Sequence, residues 1–351
     1  MKVGEDYEIV KKIGQGGMGE TFLARQISLD RNVVLKRLTS ASDEDGYDRL
    51  KKEGRLLANL DHPNVVTVMG VVTDAGENYL IEEYFANGRT VRDVIRAVRN
   101  GEETLPRKRF AHIAVQLISA LEHAHECRII HRDVKPENIL IAPDDRIKLC
   151  DFGIARNLES RTSSTSGVKG TWEYLAPELL EDNAALTPAV DAYAAGHVFF
   201  ELLCGRAPFS NAVRNGVASF LQQKTTTEPR FDGLVPGWAA SDVPLLDDLL
   251  SLTPDRRPVA LRRLKVSLEQ SASDYARPHD SDTSNVLLSN DRLFVHAGIY
   301  QDGYGMSGSL ERNSEGGGDT SHPSTASKVG LVLGILGGTL GMYYLIHLLQ
   351  S

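Results

Sequence analysis

Between His131 and Asn138 the chain reads His-Arg-Asp-Val-Lys-Pro-Glu-Asn, which sets a carboxylate (Asp133), an ammonium (Lys135) and an amide (Asn138) close together. Pro136 limits any helix through them. Ile139-Leu140-Ile141 reads as a strand, Pro143-Asp144-Asp145 as a turn, and Ile147 and Leu149 alternate towards Asp151-Phe152-Gly153. A two-residue hairpin loop at Asp144-Asp145 fixes the register by counting outward: Pro143 faces Arg146, Ala142 faces Ile147, and Asn138 faces Asp151. An amide and a carboxylate then meet at the open end of one hairpin, with Asp133 just upstream. Such a site can hold a hard cation through oxygen ligands beside a group able to accept a proton.

The preceding chain supplies elements to position this stretch. Tyr7 to Ile13 and Thr21 to Gln26 read as strands flanking Gly14-Gln15-Gly16-Gly17-Met18-Gly19. Glycines at 14, 16 and 19 let backbone amides approach phosphates closely, although Gly-rich turns are also common in plain hairpins. The order strand–loop–strand separates this segment from a dinucleotide-binding strand–loop–helix. Val33-Val34-Leu35-Lys36 reads as a buried strand ending in a cation, for which the bland alternative is a surface lysine on an edge strand. Leu50, Glu53, Leu57 and Leu60 share one helical face. A carboxylate on that apolar stripe wants a counter-charge, unless it is solvated beside Lys51 and Lys52. Tyr79 to Phe85 is a further strand leading to Asn87-Gly88, and helical patterns run from Val91 to Arg99 and from Phe110 towards His125.

Taken together, the Gly-rich loop, Lys36, His131-Arg132-Asp133, Asn138, Asp151-Phe152-Gly153 and Ala176-Pro177-Glu178 resemble the ordered motifs of protein Ser/Thr kinases. The resemblance runs over residues 7 to 270 and implies an α+β, two-lobed protein-kinase fold. It implies a β-rich N-lobe at about 7–82, a hinge at 83–85 and a helical C-lobe at about 86–270. It implies ATP and Mg²⁺ as cofactors, with Mn²⁺ an alternative ion, and transfer of a phosphoryl group to protein Ser/Thr hydroxyls. Asp133 is then the catalytic base, Lys135 steadies the transferred group, and Asn138 and Asp151 hold the metal. Lys36, paired with Glu53, positions the phosphates. Ile13, Gly14, Gly16, Gly19, Thr21, Val34, Glu83 and Phe85 complete the nucleotide site, with hinge backbone groups on the adenine edge.

The hydroxyl-rich run Thr162, Ser163, Ser164, Thr165, Ser166 falls where the family keeps its activation segment, and Arg132 is a cation able to grip a phosphate there. Thr171 resembles the substrate-proximal threonine and, with Lys135, favours Ser/Thr over Tyr substrates. Asp191 is expected to support the backbone around Asp133, and Arg257 to pair with Glu178. Three positions depart from the family pattern. Thr21 replaces a valine, Val34 replaces an alanine against adenine, and Glu82 falls at the gatekeeper position behind the adenine, where a carboxylate needs a partner or a raised pKa. Cys150 beside Asp151 reads as a quiet buried thiol, with a reactive thiol as the alternative. A pseudokinase scaffold is the rival reading, but its usual mark is the loss of Lys36, Asp133 or Asp151, and all three are present. A small-molecule kinase fits poorly, because Thr171 and Ala176-Pro177-Glu178 form a peptide-type segment.

Composition agrees with an ordinary soluble domain, at 25% charged and 41% apolar residues. A net charge of −8 argues against nucleic acid as a partner, and three cysteines without metal-type spacing suggest a reduced compartment. The first residues lack the apolar run of an export signal. Residues 271–328 are rich in Ser, Asp, Gly and Thr and read as a flexible linker, with short apolar patches at Val286-Leu287-Leu288 and Leu293-Phe294-Val295. Val329 to Leu349 is 21 residues without Asp, Glu, Lys or Arg. As a helix it spans about 31 Å, the thickness of a bilayer core. This predicts a C-terminal transmembrane helix, a single-pass tail anchor with the kinase domain in the cytoplasm, for which a buried core helix is the bland alternative. The Gly-Gln-Gly-Gly-Met-Gly loop and short tail resemble bacterial members of the family, which implies a bacterial plasma membrane. Gly334 and Gly338 give a small-xxx-small face suited to a homodimer within the bilayer.

Overall fold

Six antiparallel strands make the N-terminal sheet: β1 (Lys2–Val3), β2 (Tyr7–Gly16), β3 (Gly19–Gln26), β4 (Arg31–Leu38), β5 (Val68–Asp74) and β6 (Glu77–Glu83), in the spatial order β1-β2-β3-β4-β6-β5. The structure, a computed structural model, describes residues 1–16, 19–38, 51–52, 54–86, 88–152, 173–181, 184–231 and 241–276. All of these fall in one compact unit, Met1–Ile299. The β2–β3 turn is the Gly-rich loop. Pairing continues through Gly14↔Thr21 to Gly16↔Gly19, so the glycines extend the two strands on either side of residues 17–18. Gly19 has φ +140°, which a side-chain-bearing residue rarely adopts. Strand β6 ends at Glu83, and Tyr84 and Phe85 continue as irregular chain instead of the strand expected there.

The second part is helical and carries a small sheet of β7 (Arg89–Thr90), β8 (Ile139–Ile141) and β9 (Ile147–Leu149). Helix α1 (Val91–Arg99) starts at a capping box in which Thr90 and Asp93 satisfy each other's backbone N–H. Helix α2 (Arg107–Glu126) packs on α3 (Pro188–Cys204) and on α7 (Arg256–Ala276), with α4 (Ser210–Arg214), α5 (Val217–Thr226) and α6 (Asp242–Leu249) completing the lobe. The sequence sets the bounds of α3: Thr187 caps its N-terminus, Pro188 opens its first turn, and Gly205 closes it in the left-handed region at φ +65°. Almost every residue of α3 is buried, the mark of a central core helix. A Cβ on Gly196 would lie 2.7 Å from the Leu249 Cβ, so glycine there lets α3 approach α6 closely.

One apolar core, including Phe110, Leu117, Leu121, Val198, Phe199, Leu249 and Leu264, reaches up to Leu57, Leu60, Val68 and Leu80 and joins the two parts. Residues 64–66, just before β5, are hydrogen-bonded to β9: Leu149 N–H donates to Asn64 O at 2.8 Å and Val66 N–H to Leu149 O at 2.9 Å. Leu60 is buried as expected but lies beyond the end of the helix that covers Gly54–Leu57. The expected linker does not begin at residue 271. Helix α7 runs to Ala276, Ala272 is buried, and the Tyr275 hydroxyl donates to Asp145 Oδ2 at 2.5 Å, so 271–276 belong to the folded unit. An apolar i, i+4 spacing through Leu264, Leu268 and Ala272 carries the helix past the change in composition. Among the described residues no helix is long and apolar enough to cross a membrane, and residues 329–349 lie outside them.

Candidate active site

Asp133 sits on an irregular loop at the base of the β7-β8-β9 sheet, with 5% of its surface exposed. Its Oδ2 accepts from Lys135 Nζ at 2.8 Å and from Asn138 Nδ2 at 3.0 Å. The loop is held from below. Asp191, fully buried near the start of α3, accepts the backbone N–H of His131 at 2.8 Å and of Arg132 at 2.9 Å, and pairs with His125 Nε2 at 2.8 Å. This bracing matters because Arg132 is in the left-handed region at φ +67°, a conformation that costs a non-glycine residue energy. Asp191 thus supports the loop as expected.

His131 is a member of the site that the sequence did not single out. It is wholly buried, its Nε2 lies 2.9 Å from Cys150 O, and its Nδ1 lies 3.2 Å from Asp133 N–H. Those partners require Nε2 to donate and Nδ1 to accept, which is the neutral imidazole. Burial also lowers its pKa, in agreement. Its ring packs on Phe152 at 4.4 Å, so one neutral histidine fastens the Asp133 loop to the segment after β9 that bears Asp151.

The hairpin register differs from the expected one by a single residue. Ile139 pairs with Leu149, Leu140 with Lys148 and Ile141 with Ile147, and Ala142 N–H donates to Arg146 O at 2.9 Å. The loop is therefore three residues, Pro143-Asp144-Asp145, with Asp145 left-handed at φ +58°. A type I turn followed by a left-handed residue is the usual three-residue alternative to a two-residue loop. Asn138 consequently faces Cys150, whose N–H donates to Asn138 O at 2.9 Å. A slip of one residue moves every side chain to the other face. Asp151, at φ +60°, leaves the strand direction at that point. Its carboxylate meets Lys36 of β4 in an ion pair across the cleft.

Lys36 also pairs with Glu82 Oε2 at 2.6 Å. Burial alone would lower the Lys36 pKa, but the Asp151 and Glu82 carboxylates raise it above its ordinary value and hold the ammonium charged. Burial pushes the Glu82 carboxyl up, against the pull of Lys36. The expected Lys36 partner, Glu53, lies outside the described residues, as do Thr162 to Ser166 and Thr171. Ile13 and Val34 pack with Leu23 and Tyr84, while Phe85 packs with Val66, Leu140 and Cys150. The adjacent residues Tyr84 and Phe85 thus join two apolar clusters, one on β2, β3 and β4 and the other around Leu140 of β8. Leu23 and Leu140 were not foreseen, because nothing in an apolar strand residue marks which surface it lines. Thr21 pairs with Gly14 and Lys36 in the sheet. The Glu83 backbone N–H donates to Thr67 O at 3.0 Å and its carboxylate accepts from Lys148 Nζ at 2.6 Å. The Cys150 thiol is buried and its pKa pushed well up by that burial, which is the quiet reading.

The donor set suits a hard cation. Asn138 Nδ2 donates to both Asp133 O and Asp133 Oδ2, which leaves Oδ1 as the atom able to ligate. Among the described residues no group of three or more His, Cys, Asp or Glu could cage a metal alone. Asn138 and Asp151 each offer an oxygen of the kind a hard cation prefers.

A model of the protein kinase domain matches residues 7–267. The chain belongs to that family. "Serine/threonine-protein kinase PrkC" of Bacillus subtilis is 40% identical over 234 residues, covering 66% of this chain and 35% of that protein. "Serine/threonine-protein kinase PknB" of Mycobacterium leprae is 37% identical over 211 residues, 58% of this chain and 33% of that protein. The chain thus spans about a third of the length of these curated relatives. The crystal structure of the Mycobacterium tuberculosis PknI kinase domain superposes with a TM-score of 0.58 at 24% identity, covering 78% of this chain and 98% of that one, which shows the fold.

Two further clusters anchor this kinase domain below the cleft. Arg257 is fully buried and meets Glu178 through Nη1 at 2.7 Å and Nη2 at 3.0 Å, the expected pair. The other was not foreseen. Arg92 of α1 bonds to Glu137 at 2.8 Å and also to Glu201 and Tyr174, which bond each other, so the Asp133 loop, α1, α3 and residues 173–176 share one charged network.

Proposed function

We propose that this chain is a serine/threonine protein kinase that transfers the γ-phosphoryl group of ATP to protein hydroxyls. The observation that carries this reading is Asp133, a buried carboxylate oriented by Lys135 and Asn138. Bound ATP with Mg²⁺, or Mn²⁺ in its place, would supply the reactive phosphoryl group and part of the charge neutralisation. Asn138 Oδ1 and Asp151 would hold the cation, and Lys36 the α- and β-phosphates. Asp133 would orient the substrate hydroxyl and accept its proton, while Lys135 balances negative charge on the transferred group. Catalysis on this reading is mainly positioning and charge compensation by prearranged groups. The preference for Ser/Thr rests on Lys135, Thr171 and the names of the relatives.

On the same reading, a phosphate added within Thr162 to Ser166 would be gripped by Arg132, and Val329 to Leu349 would hold the domain at the cytoplasmic face of a membrane. Gly334 and Gly338 would pair two such helices. Retention of the full chain in the membrane pellet after alkaline extraction, lost on deleting 329–349, checks the anchor.

The deciding experiment is transfer of labelled phosphate from ATP-Mg²⁺ to a protein substrate by the wild type and by Asp133→Asn. The expected loss in kcat is roughly 10²- to 10⁴-fold, the contribution of a positioned proton acceptor. Equal transfer by the two proteins would overturn the assignment.

A further inference from the structure

Glu82 is an unusual residue for its place. It lies in β6, which is hydrogen-bonded on both sides, facing Val34 of β4 and Val68 of β5. Its backbone is therefore fixed, and only 5% of its surface is exposed. Burying a carboxylate at such a position costs several kcal/mol unless its charge is met, so an apolar residue would cost less. The sheet register shows what meets it. Val34 faces Glu82 and Lys36 faces Leu80, which makes Lys36 and Glu82 diagonal neighbours on one face of the sheet. Diagonal pairs are spanned by long side chains. Here Lys36 Nζ lies 2.6 Å from Glu82 Oε2.

The other carboxylate on Lys36 among the described residues is differently placed. The Asp151 side chain is about a third exposed at 32% and is one of two oxygen donors fit for a cation. A cation taken up by Asp151 competes with the Lys36 ammonium for the same oxygens. Glu82 has no such second duty, and its strand keeps it in place.

We propose that Glu82 is a positioning residue for Lys36, a fixed counter-charge built into the sheet that keeps the ammonium aimed into the cleft while Asp151 is engaged by a cation. The inference rests on the nucleotide reading of the cleft, and it makes the gatekeeper position part of phosphate recognition instead of a passive wall behind the base. Without Glu82, Lys36 would lose the counter-charge fixed by the sheet, and the phosphates would lose an oriented donor. The base, held by the apolar surfaces, would not.

The test compares wild type with Glu82→Gln, Glu82→Met and Glu82→Asp. ATP-Mg²⁺ and adenosine are titrated separately by calorimetry, and the rate of acetylation of Lys36 in nucleotide-free protein is followed by mass spectrometry. Loss of one charge-assisted contact predicts ATP affinity about tenfold weaker in Glu82→Gln, with adenosine affinity unchanged. Lys36 acetylation should rise several-fold, Lys135 acetylation should not, and Glu82→Asp should recover part of both effects. Should Glu82→Gln fail to fold, Glu82→Met carries the same comparison. ATP and adenosine weakened equally, or Lys36 labelling unchanged in the folded variants, would overturn the proposal. The labelling arm needs no phosphotransfer, so a wild type that binds nucleotide without transferring phosphate would refute the kinase reading and leave this one standing.

Discussion

Replacing Glu178 by Ala removes both oxygens that Arg257 holds at 2.7 and 3.0 Å and leaves the guanidinium fully buried. Among the described residues three contacts remain: Ser251 O at 2.8 Å from Nε, Ala189 O at 3.4 Å from Nη1, and the Tyr193 ring at 4.9 Å. None of these neutralises the charge. Breaking a buried pair from one side costs about 3–5 kcal/mol, because the remaining ion is desolvated without compensation. Against a domain stability of about 5–15 kcal/mol, that is a large fraction. Replacing both partners by leucine removes the stranded charge together with its mate, so Glu178→Leu with Arg257→Leu should lose less than either single variant. Urea unfolding followed by circular dichroism, as a double-mutant cycle, measures the coupling. Raising the salt concentration should change the coupling little, since buried charges are poorly screened. A single-variant cost below about 1 kcal/mol, the range of exposed pairs, would refute the reasoning. Costs that simply add in the double variant would refute it too.

Lys224 is buried beside Tyr193 and Phe220 and donates to Glu173 O at 2.7 Å, and burial drives its pKa from 10.5 down to about 7. Between those two values the unfolded chain carries a proton that the folded one lacks, so stability should rise with pH across that window, by up to about 1.4 kcal/mol per unit, and fall again as pH drops towards the lower value. Urea midpoints of wild type and Lys224→Met should diverge in slope over this window; parallel curves would exclude the effect. Asp191→Asn keeps an acceptor for only one of the two loop amides without ionic strength, leaving Arg132 less well held at φ +67°. Phosphotransfer kinetics should show kcat falling by tenfold or more with a smaller change in the KM for ATP, and a change confined to KM would argue against a bracing role.

The sequence alone determined the chemistry-bearing residues and their local setting. Asp133, Lys135 and Asn138 lie within six positions, and the strand–loop–strand pattern around Gly14 to Gly19 is a matter of short-range periodicity, which spacing reports directly. The capped start of α3 at Thr187-Pro188 and its end at Gly205 follow from local backbone preferences in the same way. Spacing could not choose between a two- and a three-residue hairpin loop, because both suit Pro143-Asp144-Asp145, and the difference moved Asn138 from Asp151 to Cys150.

Tertiary structure decided the pairings between residues far apart in the chain. Glu82 reads in sequence as a misplaced charge, and only the register of β4 against β6 brings it within 2.6 Å of Lys36. The neutral tautomer of His131 likewise depends on Cys150, and the Arg92 network on four segments that meet only when α1 and α3 pack. A charged side chain declares in sequence that it needs a partner. Which partner it finds is set by sheet register and helix packing, and those are properties of the whole chain.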